Sequence, residues 1–205
     1  MSHPALDLIR QRISVNHFDP SFHLTDEQIR ELVEYATQAP SAYNLQNWRF
    51  IAVRDPATKA RLKALAFGQG KVADAAVTFI VVGLLRPHEY ADEALAPFLR
   101  TGAIDQAAYD RWVKAAQAAY VANERLQRDE AIRSASLAAM TLMIAAQARG
   151  LSSGPMIGFD AAGVGREFGL SDFEVPALLV TVGRAGPGNW PRKPRQPPEK
   201  VLRII

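Results

Sequence analysis

The chain has 205 residues, of which 48% are hydrophobic and 22% charged, with a formal net charge of +3. This length is typical of one domain, and we expect a single domain over residues 1–205 with a full hydrophobic core. The absence of cysteine excludes disulfides, a thiol nucleophile and a thiolate metal site. The four histidines show no HxxxH or HxH spacing, so we expect no metal.

The sequence shows no signal for export or for membrane insertion. Its first 30 residues contain no apolar signal core, and no stretch reaches about 18 uninterrupted apolar residues. We therefore expect a cytoplasmic protein without a membrane partner.

Charges of both signs are interspersed except in residues 184–205, a basic and proline-rich extension. Glu199 is the one acidic residue of this extension, and its basic residues are Arg184, Arg192, Lys193, Arg195, Lys200 and Arg203. Such a tail fits a nucleic-acid arm, a solvated extension or one wall of a phosphate site.

The first half of the chain predicts helices on either side of one strand. Residues 5–12 predict a short helix, followed by an extended segment that ends near Pro20. Thr25 and Gln28 form a capping box that begins a second helix. Residues 48–53 alternate like a strand, and Asp55 with Pro56 begins a helix that runs to about residue 67.

The second half contains two apolar runs, residues 75–85 and 177–183, that are typical of central strands covered on both faces. Between them, Asp105 caps one helix, and residues 132–149 form another that is apolar nearly all round. Such a helix must be buried in a large core or between subunits. A last short helix is predicted over residues 160–168. The sum is an α+β fold with three or four strands, without the regular alternation of a Rossmann fold.

The usual catalytic motifs are missing. The sequence contains no GxSxG, HExxH, P-loop or EF-hand motif. The glycines of residues 163–169 resemble a dinucleotide loop, but the spacing has one extra residue and no strand precedes it, so we interpret them as a helix end. We assign no catalytic side chain, and expect a cofactor to carry the chemistry.

Four short segments are rich in basic and small polar residues: residues 12–16, 40–48, 69–71 and 193–195. They belong to motifs that read RQRISVNHFD, APSAYNLQNWRF, GQGKVADAAVTFIVV, PMIGFD and KPR in chain order. This ordered set resembles the FMN-dependent nitroreductase family over residues 10–201.

The resemblance implies a three-layer α-β-α sandwich with a central mixed sheet, a long buried helix and an intertwined homodimer. It implies a helical excursion over the substrate pocket in residues 86–130. The aromatic residues of the excursion fit core or dimer contacts better than an acceptor stack; they are Phe98, Tyr109, Trp112 and Tyr120.

The resemblance also implies an FMN site built from five segments. Arg12 and Ser14, with Lys193 and Arg195 of the tail, would hold the phosphate, for which guanidinium, ammonium and hydroxyl donors are suited. Lys71 would lie beside the pyrimidine end of the ring, where a cation stabilises the reduced flavin. The other implied contacts are Ile13, Asn16, Gln69, the partner-supplied Pro40, Ser41, Ala42 and Asn44, and Pro155, Met156, Ile157 and Gly158 near flavin N5.

Three positions depart from the family pattern. Asn16 stands where a second cation is usual, Asn47 replaces a common proline before Trp48, and Ile157 stands where several relatives carry Glu. The first removes a charge near the phosphate or ribityl chain, and the third makes the pocket more apolar.

The implied activity is reduction of a nitroaromatic or quinone-type acceptor by NADPH or NADH through flavin N5, with ping-pong kinetics. Another flavin reaction on the same fold remains open, such as enone reduction, dehalogenation or flavin breakdown. A nucleic-acid-binding protein is the alternative from a different class. We expect no nucleic-acid partner, because the charges outside the tail are interspersed and no recognised nucleic-acid motif occurs.

Overall fold

The computed structural model describes residues 3–205 of the chain. Its helices and strands follow the predicted order, with two helices and one strand that were not predicted, at residues 71–74, 91–100 and 152–156. The helices are α1 (Pro4–Gln11), α2 (Asp26–Ala36), α3 (Pro56–Leu65), α4 (Lys71–Asp74), α5 (Ala91–Arg100), α6 (Gln106–Tyr120), α7 (Glu124–Ala148) and α8 (Ala161–Glu167). The strands are β1 (Trp48–Val53), β2 (Val77–Leu84), β3 (Ser152–Met156) and β4 (Glu174–Gly183).

Local capping fixes where the predicted helices begin. The capping box of α2 is confirmed: the Gln28 amide donates to Thr25 Oγ1 at 3.3 Å, and the Thr25 amide donates to Gln28 Oε1 at 2.9 Å. Asp55, Asp105 and Asp160 each accept a backbone amide of the first turn. Because α8 runs through Gly163, the dinucleotide-loop alternative for this segment is wrong.

The four strands form one sheet in the order β1-β2-β4-β3, and every neighbouring pair is antiparallel. We predicted a mixed sheet, but the named strands pair only in the antiparallel direction, and the parallel pairing is limited to one isolated β-bridge. Among the described residues, the parallel pairing joins Ser14 to Ser153, beside β3. The amino-terminal segment, which we expected to be an extended linker, therefore lies along the edge of the sheet.

Helices cover both faces of this sheet, which gives the predicted three layers. On one face Phe79 and Val81 of β2 pack with α2 and α7. On the other face Ile80 and Val82 pack with α3, α4 and α8. Alternate residues of one strand thus enter two cores, which is why β2 is apolar without interruption.

Helix α7 begins at Glu124, eight residues before the predicted start, and the prediction was wrong there. The apolar run alone set the predicted boundary, whereas the helix starts where Asn123 accepts the Leu126 amide at 3.0 Å. The charged first turns carry little apolar pattern, so the periodicity missed them.

The buried stripe of α7, which includes Ala135, Ala139 and Leu142, packs on the sheet, while Leu137 and Met140 remain 41% and 40% exposed. Within residues 3–205 it is the one helix long and apolar enough to cross a membrane by length and composition. Core helices meet the same criterion, and the packed stripe marks α7 as such a helix.

The excursion after β2 contains α5, α6 and the start of α7. Its core includes Leu45, Leu95, Val113 and Tyr120, all buried. Burial raises the pKa of Tyr120 to about 12, and the nearby Glu130 carboxylate adds to this effect. Tyr120 is thus a core residue, while Trp112 stays 38% exposed.

Candidate functional site

The amino-terminal segment from Arg12 to Asp19 lies between strand β3 and the carboxyl-terminal tail. On the side of β3, the Val15 amide donates to Ser153 O at 3.0 Å. On the side of the tail, the Asp19 amide donates to Arg184 O at 2.9 Å. The two ends of the chain are thereby brought together at one edge of the sheet.

The contact with β3 depends on a glycine. A Cβ atom at Gly154 would lie 2.5 Å from Val15 O and 2.8 Å from Thr181 Oγ1, both too close for real atoms. Any larger residue would push the amino-terminal segment away from the sheet. Gly154 thus permits the approach that positions Arg12 and Ser14.

A cavity of about 220 Å³ opens between this segment and the tail. Its lining combines predicted site residues with three tail residues that sequence reasoning missed, Trp190, Pro191 and Arg192. The predicted residues in the lining are Ile13, Ser14, Asn16, Lys193 and Arg195. No carboxylate belongs to the lining.

Several cations converge on this cavity. Burial lowers the pKa of Arg12, and the positive charges of Arg195 and Arg192 lower it further. Burial likewise lowers the pKa of Lys71, with a contribution from Lys193. Within residues 3–205, none of these five cations forms an ion pair with a carboxylate. The cluster therefore has an excess of positive charge that an anion would neutralise.

The side chain of Arg12 is directed along its own segment. Its Nη1 donates to Ile13 O at 3.0 Å, and its Nη2 lies 3.4 Å from Ser14 Oγ as donor. Ser14 lines the cavity and the Arg12 guanidinium lies beside its hydroxyl, just outside the lining. Their shared phosphate role stays a prediction.

The site continues from the cavity toward the end of β3. The Lys71 ammonium donates to Asn16 Oδ1 at 3.2 Å, and Gln69 Nε2 donates to Gly158 O at 2.9 Å. Asn16 does not supply the cation that is usual at its position; it accepts a hydrogen bond from one.

The end of β3 presents both buried and open residues to this part of the site. Pro155 and Met156 pair with β4, and Met156 is buried. Beyond the strand Ile157 is 82% exposed. The four segments that carry Arg12, Lys71, Gly158 and Lys193 are thus neighbours in one chain.

The fifth predicted segment, Pro40 to Asn44, lies apart from the others. It packs against α5, and its described hydrogen bonds are local, such as the Gln46 amide to Ser41 Oγ at 2.9 Å. Tyr43 and Asn44 have φ angles of 52° and 53°, in the left-handed region. Such strain is concentrated at functional sites and must be held by the surrounding structure.

Sequence reasoning assigned no role to two polar residues, of which Asn189 lies beside the cavity and Asn47 at the start of β1. Asn189 contacts both the amino-terminal segment and the tail, and nothing but a polar turn sequence marks it. Asn47, read as a local departure, donates to Leu84 O at 3.2 Å, while its buried Oδ1 has no partner within the described chain.

The donor set fits a phosphate monoester better than a metal. Two arginines, one lysine and one serine belong to the lining of one cavity, and guanidinium, ammonium and hydroxyl groups bind phosphate oxygens. Within residues 3–205 no group of three or more His, Asp or Glu side chains is placed to hold a metal ion.

Comparison with known proteins gives a consistent relationship. A family model described as the Nitroreductase family matches residues 9–184. One relative is the protein YodC of Bacillus subtilis (strain 168), an assigned NAD(P)H nitroreductase. It is 33% identical to this chain over 180 residues, which cover 88% of this chain and 89% of YodC.

Solved structures of similar length share the fold. An assigned nitroreductase of Bacillus subtilis, ydfN, superimposes with a TM-score of 0.92 at 32% identity and 98% coverage of both chains. An assigned nitroreductase of Exiguobacterium sibiricum 255-15, solved in complex with FMN, gives 0.91 at 26% identity and covers 100% of this chain and 99% of its own.

Proposed function

The chain belongs to the nitroreductase family, and from that premise we propose that it is an FMN-dependent oxidoreductase that uses NADPH or NADH to reduce nitroaromatic or quinone-type acceptors. The observation that carries the proposal is the cluster of cations around one cavity, continuous with the Lys71 and Gln69 contacts. The FMN complex of the relative from Exiguobacterium sibiricum supports the choice of cofactor.

The residues of the cavity would bind the phosphate. Ser14, with Arg12 beside its hydroxyl, would hold it from the amino-terminal segment, and Lys193 and Arg195 of the lining would hold it from the tail. Since the donors come from both ends of the chain, the phosphate would also tie these ends together.

The residues beyond the cavity would orient the ring. Lys71 would place a positive charge at its pyrimidine end. Gln69, whose amide group donates to Ala66 O and Gly158 O, would offer its carbonyl oxygen as an acceptor to the same edge. When bound, FMN supplies the hydride chemistry between the nicotinamide donor and the acceptor. The protein supplies orientation, the charge of Lys71 and exclusion of water.

We assign no side chain as an obligate acid. A single open pocket beside Ile157 would receive the nicotinamide and the acceptor in turn, which predicts parallel initial-rate plots. Intersecting plots, without a half-reaction in the absence of acceptor, would contradict this order.

A second copy of the chain would complete the site. Pro40 to Asn44 does not reach the cavity of its own chain, and α7 leaves Leu137 and Met140 exposed. We propose a homodimer in which each copy offers this segment to the flavin of the other. On this account residues 1–205 act as one cytoplasmic domain, with residues 86–130 over the pocket and 184–205 as the basic extension.

Substitution of one tail cation tests the phosphate assignment. Arg195→Gln should weaken FMN binding roughly tenfold to a hundredfold, since a hydrogen bond to a charged group is worth about 1.5–3 kcal/mol. Lys200→Gln, in the same tail but outside the cavity lining, is the matched control. Equal FMN affinity of the two variants would contradict the assignment.

One observation favours a second candidate, another flavin reaction on the same fold. The exposed Ile157 makes the acceptor side apolar where several relatives carry Glu. An acceptor screen on the reduced enzyme distinguishes enones, halogenated aromatics and flavins from nitroaromatics and quinones.

Because the tail is basic, nucleic-acid binding should also be tested directly. Duplex binding with a steep salt dependence would be the signature of that alternative. We expect none, because the tail cations would be engaged by the phosphate.

A further inference from the structure

One side chain joins the tail to the amino-terminal segment through four hydrogen bonds. Asn189 Oδ1 accepts the amides of Asn16 at 2.8 Å and His17 at 3.0 Å. Its Nδ2 donates to His17 O at 2.7 Å and to Gly186 O at 2.9 Å. These four bonds use both N–H donors and both acceptor positions of the carboxamide, so the group is held in one orientation.

The position of Asn189 in the chain gives this contact its consequence. Before it, Gly186 and Arg184 already pair with the amino-terminal segment through backbone bonds. After it come Trp190 to Arg195, which form the tail side of the cavity. Asn189 is thus the last anchor before the residues that face the phosphate.

We propose that Asn189 is a positioning residue that sets Lys193 and Arg195 against Arg12 and Ser14. This inference rests on the proposed function, because it concerns the phosphate of the same FMN. Asn189 does not line the cavity, and so acts through the tail rather than on the ligand. Both segments that it joins carry proposed phosphate donors. Arg192, farther along the tail, also donates to Arg10 O, so a loss of the Asn189 bonds should loosen the two walls against each other rather than detach the tail.

The expected effect is confined to the phosphate. Asn16 and His17 are exposed, so water can replace the lost bonds in Asn189→Ala and the fold should persist. The charges of Lys193 and Arg195 remain, but they are no longer held in place. A ligand that lacks the phosphate gains nothing from that arrangement.

The test compares FMN with riboflavin, which has the same ring but no phosphate. Dissociation constants would be measured by fluorescence quenching on the flavin-stripped full chain. We expect Asn189→Ala to weaken FMN binding about tenfold, equal to about 1.4 kcal/mol, and to leave riboflavin binding unchanged. Gln28→Ala is the matched control, since it removes an exposed carboxamide that accepts the Thr25 amide at the start of α2, outside the residues assigned to the site.

The outcomes separate this inference from the proposed function. If wild-type protein binds FMN no better than riboflavin, the phosphate site itself is wrong and both proposals fall. If wild type prefers FMN and Asn189→Ala keeps that preference within twofold, the positioning role alone is overturned. Equal weakening of FMN and riboflavin, or the same loss in Gln28→Ala, would show a merely structural role and also overturn it.

Discussion

Asn16 Oδ1 accepts a hydrogen bond from Lys71 Nζ at 3.2 Å, across 55 positions of the chain. The contact joins the amino-terminal segment, which carries the proposed phosphate donors, to the segment that would face the flavin ring. An uncharged side chain of the amino-terminal segment thus accepts a hydrogen bond from a cation that is distant in the sequence.

The first prediction concerns that charge. Lys71→Gln should lower the midpoint potential of the bound flavin by roughly 20–40 mV. At a half-exposed site one charge contributes about 1–2 kcal/mol, and for a two-electron couple 1.4 kcal/mol corresponds to about 30 mV. Anaerobic reduction against a reference dye measures the potential. Lys114→Gln, on the exposed side of α6, should leave it unchanged; an unchanged potential in Lys71→Gln would contradict the assigned role.

The second prediction concerns pH. Burial and the charge of Lys193 hold the pKa of Lys71 below its usual 10.5 in the free protein. A bound anion favours the charged form, so FMN affinity should be constant below the lowered pKa and fall as pH rises through it. We expect the decline to begin below pH 10.5 in wild type. Titrations from neutral pH upward should give a flatter curve for Lys71→Gln, and identical curves would refute the link.

The third prediction concerns the close approach at Gly154. Gly154→Ala must displace Val15 or Thr181, and should reduce the free energy of unfolding by about 1–3 kcal/mol. FMN affinity should fall as well, because the displaced segment carries Arg12 and Ser14. Urea denaturation and FMN titration measure the two effects.

Gly165→Ala is the control for this substitution. Its Cβ would meet its nearest neighbour at 4.0 Å, and alanine suits the helix α8. We expect no loss of stability there. Equal stability of the two variants would show that the contact with Val15 is looser than the geometry indicates.

The fourth prediction concerns the exposed face of α7. Met140→Glu places a charge where a second copy would bury an apolar side chain, which contributes about 1.5–3 kcal/mol. Sedimentation should show a shift toward monomer together with a loss of bound FMN. Val121→Glu, at an apolar position outside α7 that is 55% exposed against 40% for Met140, is the control. A monomeric variant that retains full FMN would contradict the shared site.

Local signals in the sequence predicted most of the fold. The caps at Thr25, Asp55, Asp105 and Asp160 depend on neighbouring residues alone, and each lies where the pattern placed it. The uninterrupted apolar run of β2 likewise predicted a strand that is covered on both faces.

Features that depend on long-range contacts escaped the sequence analysis. The antiparallel order of the strands and the bridge from Ser14 to Ser153 join segments far apart in the chain. The role of Asn189 depends on amides more than 170 positions away, so no local pattern marks it. The charged start of α7 was missed because apolar periodicity alone defined that helix.

The most direct test of the central claim is an absorption spectrum of the purified protein between about 300 and 550 nm, recorded before and after anaerobic addition of NADPH or NADH. A bound flavin absorbs in this range and loses that absorption on reduction. We expect two flavin bands that bleach on addition of the nicotinamide donor. A colourless protein that also fails to take up added FMN would contradict the account, and the cations around the cavity would then need a different anion.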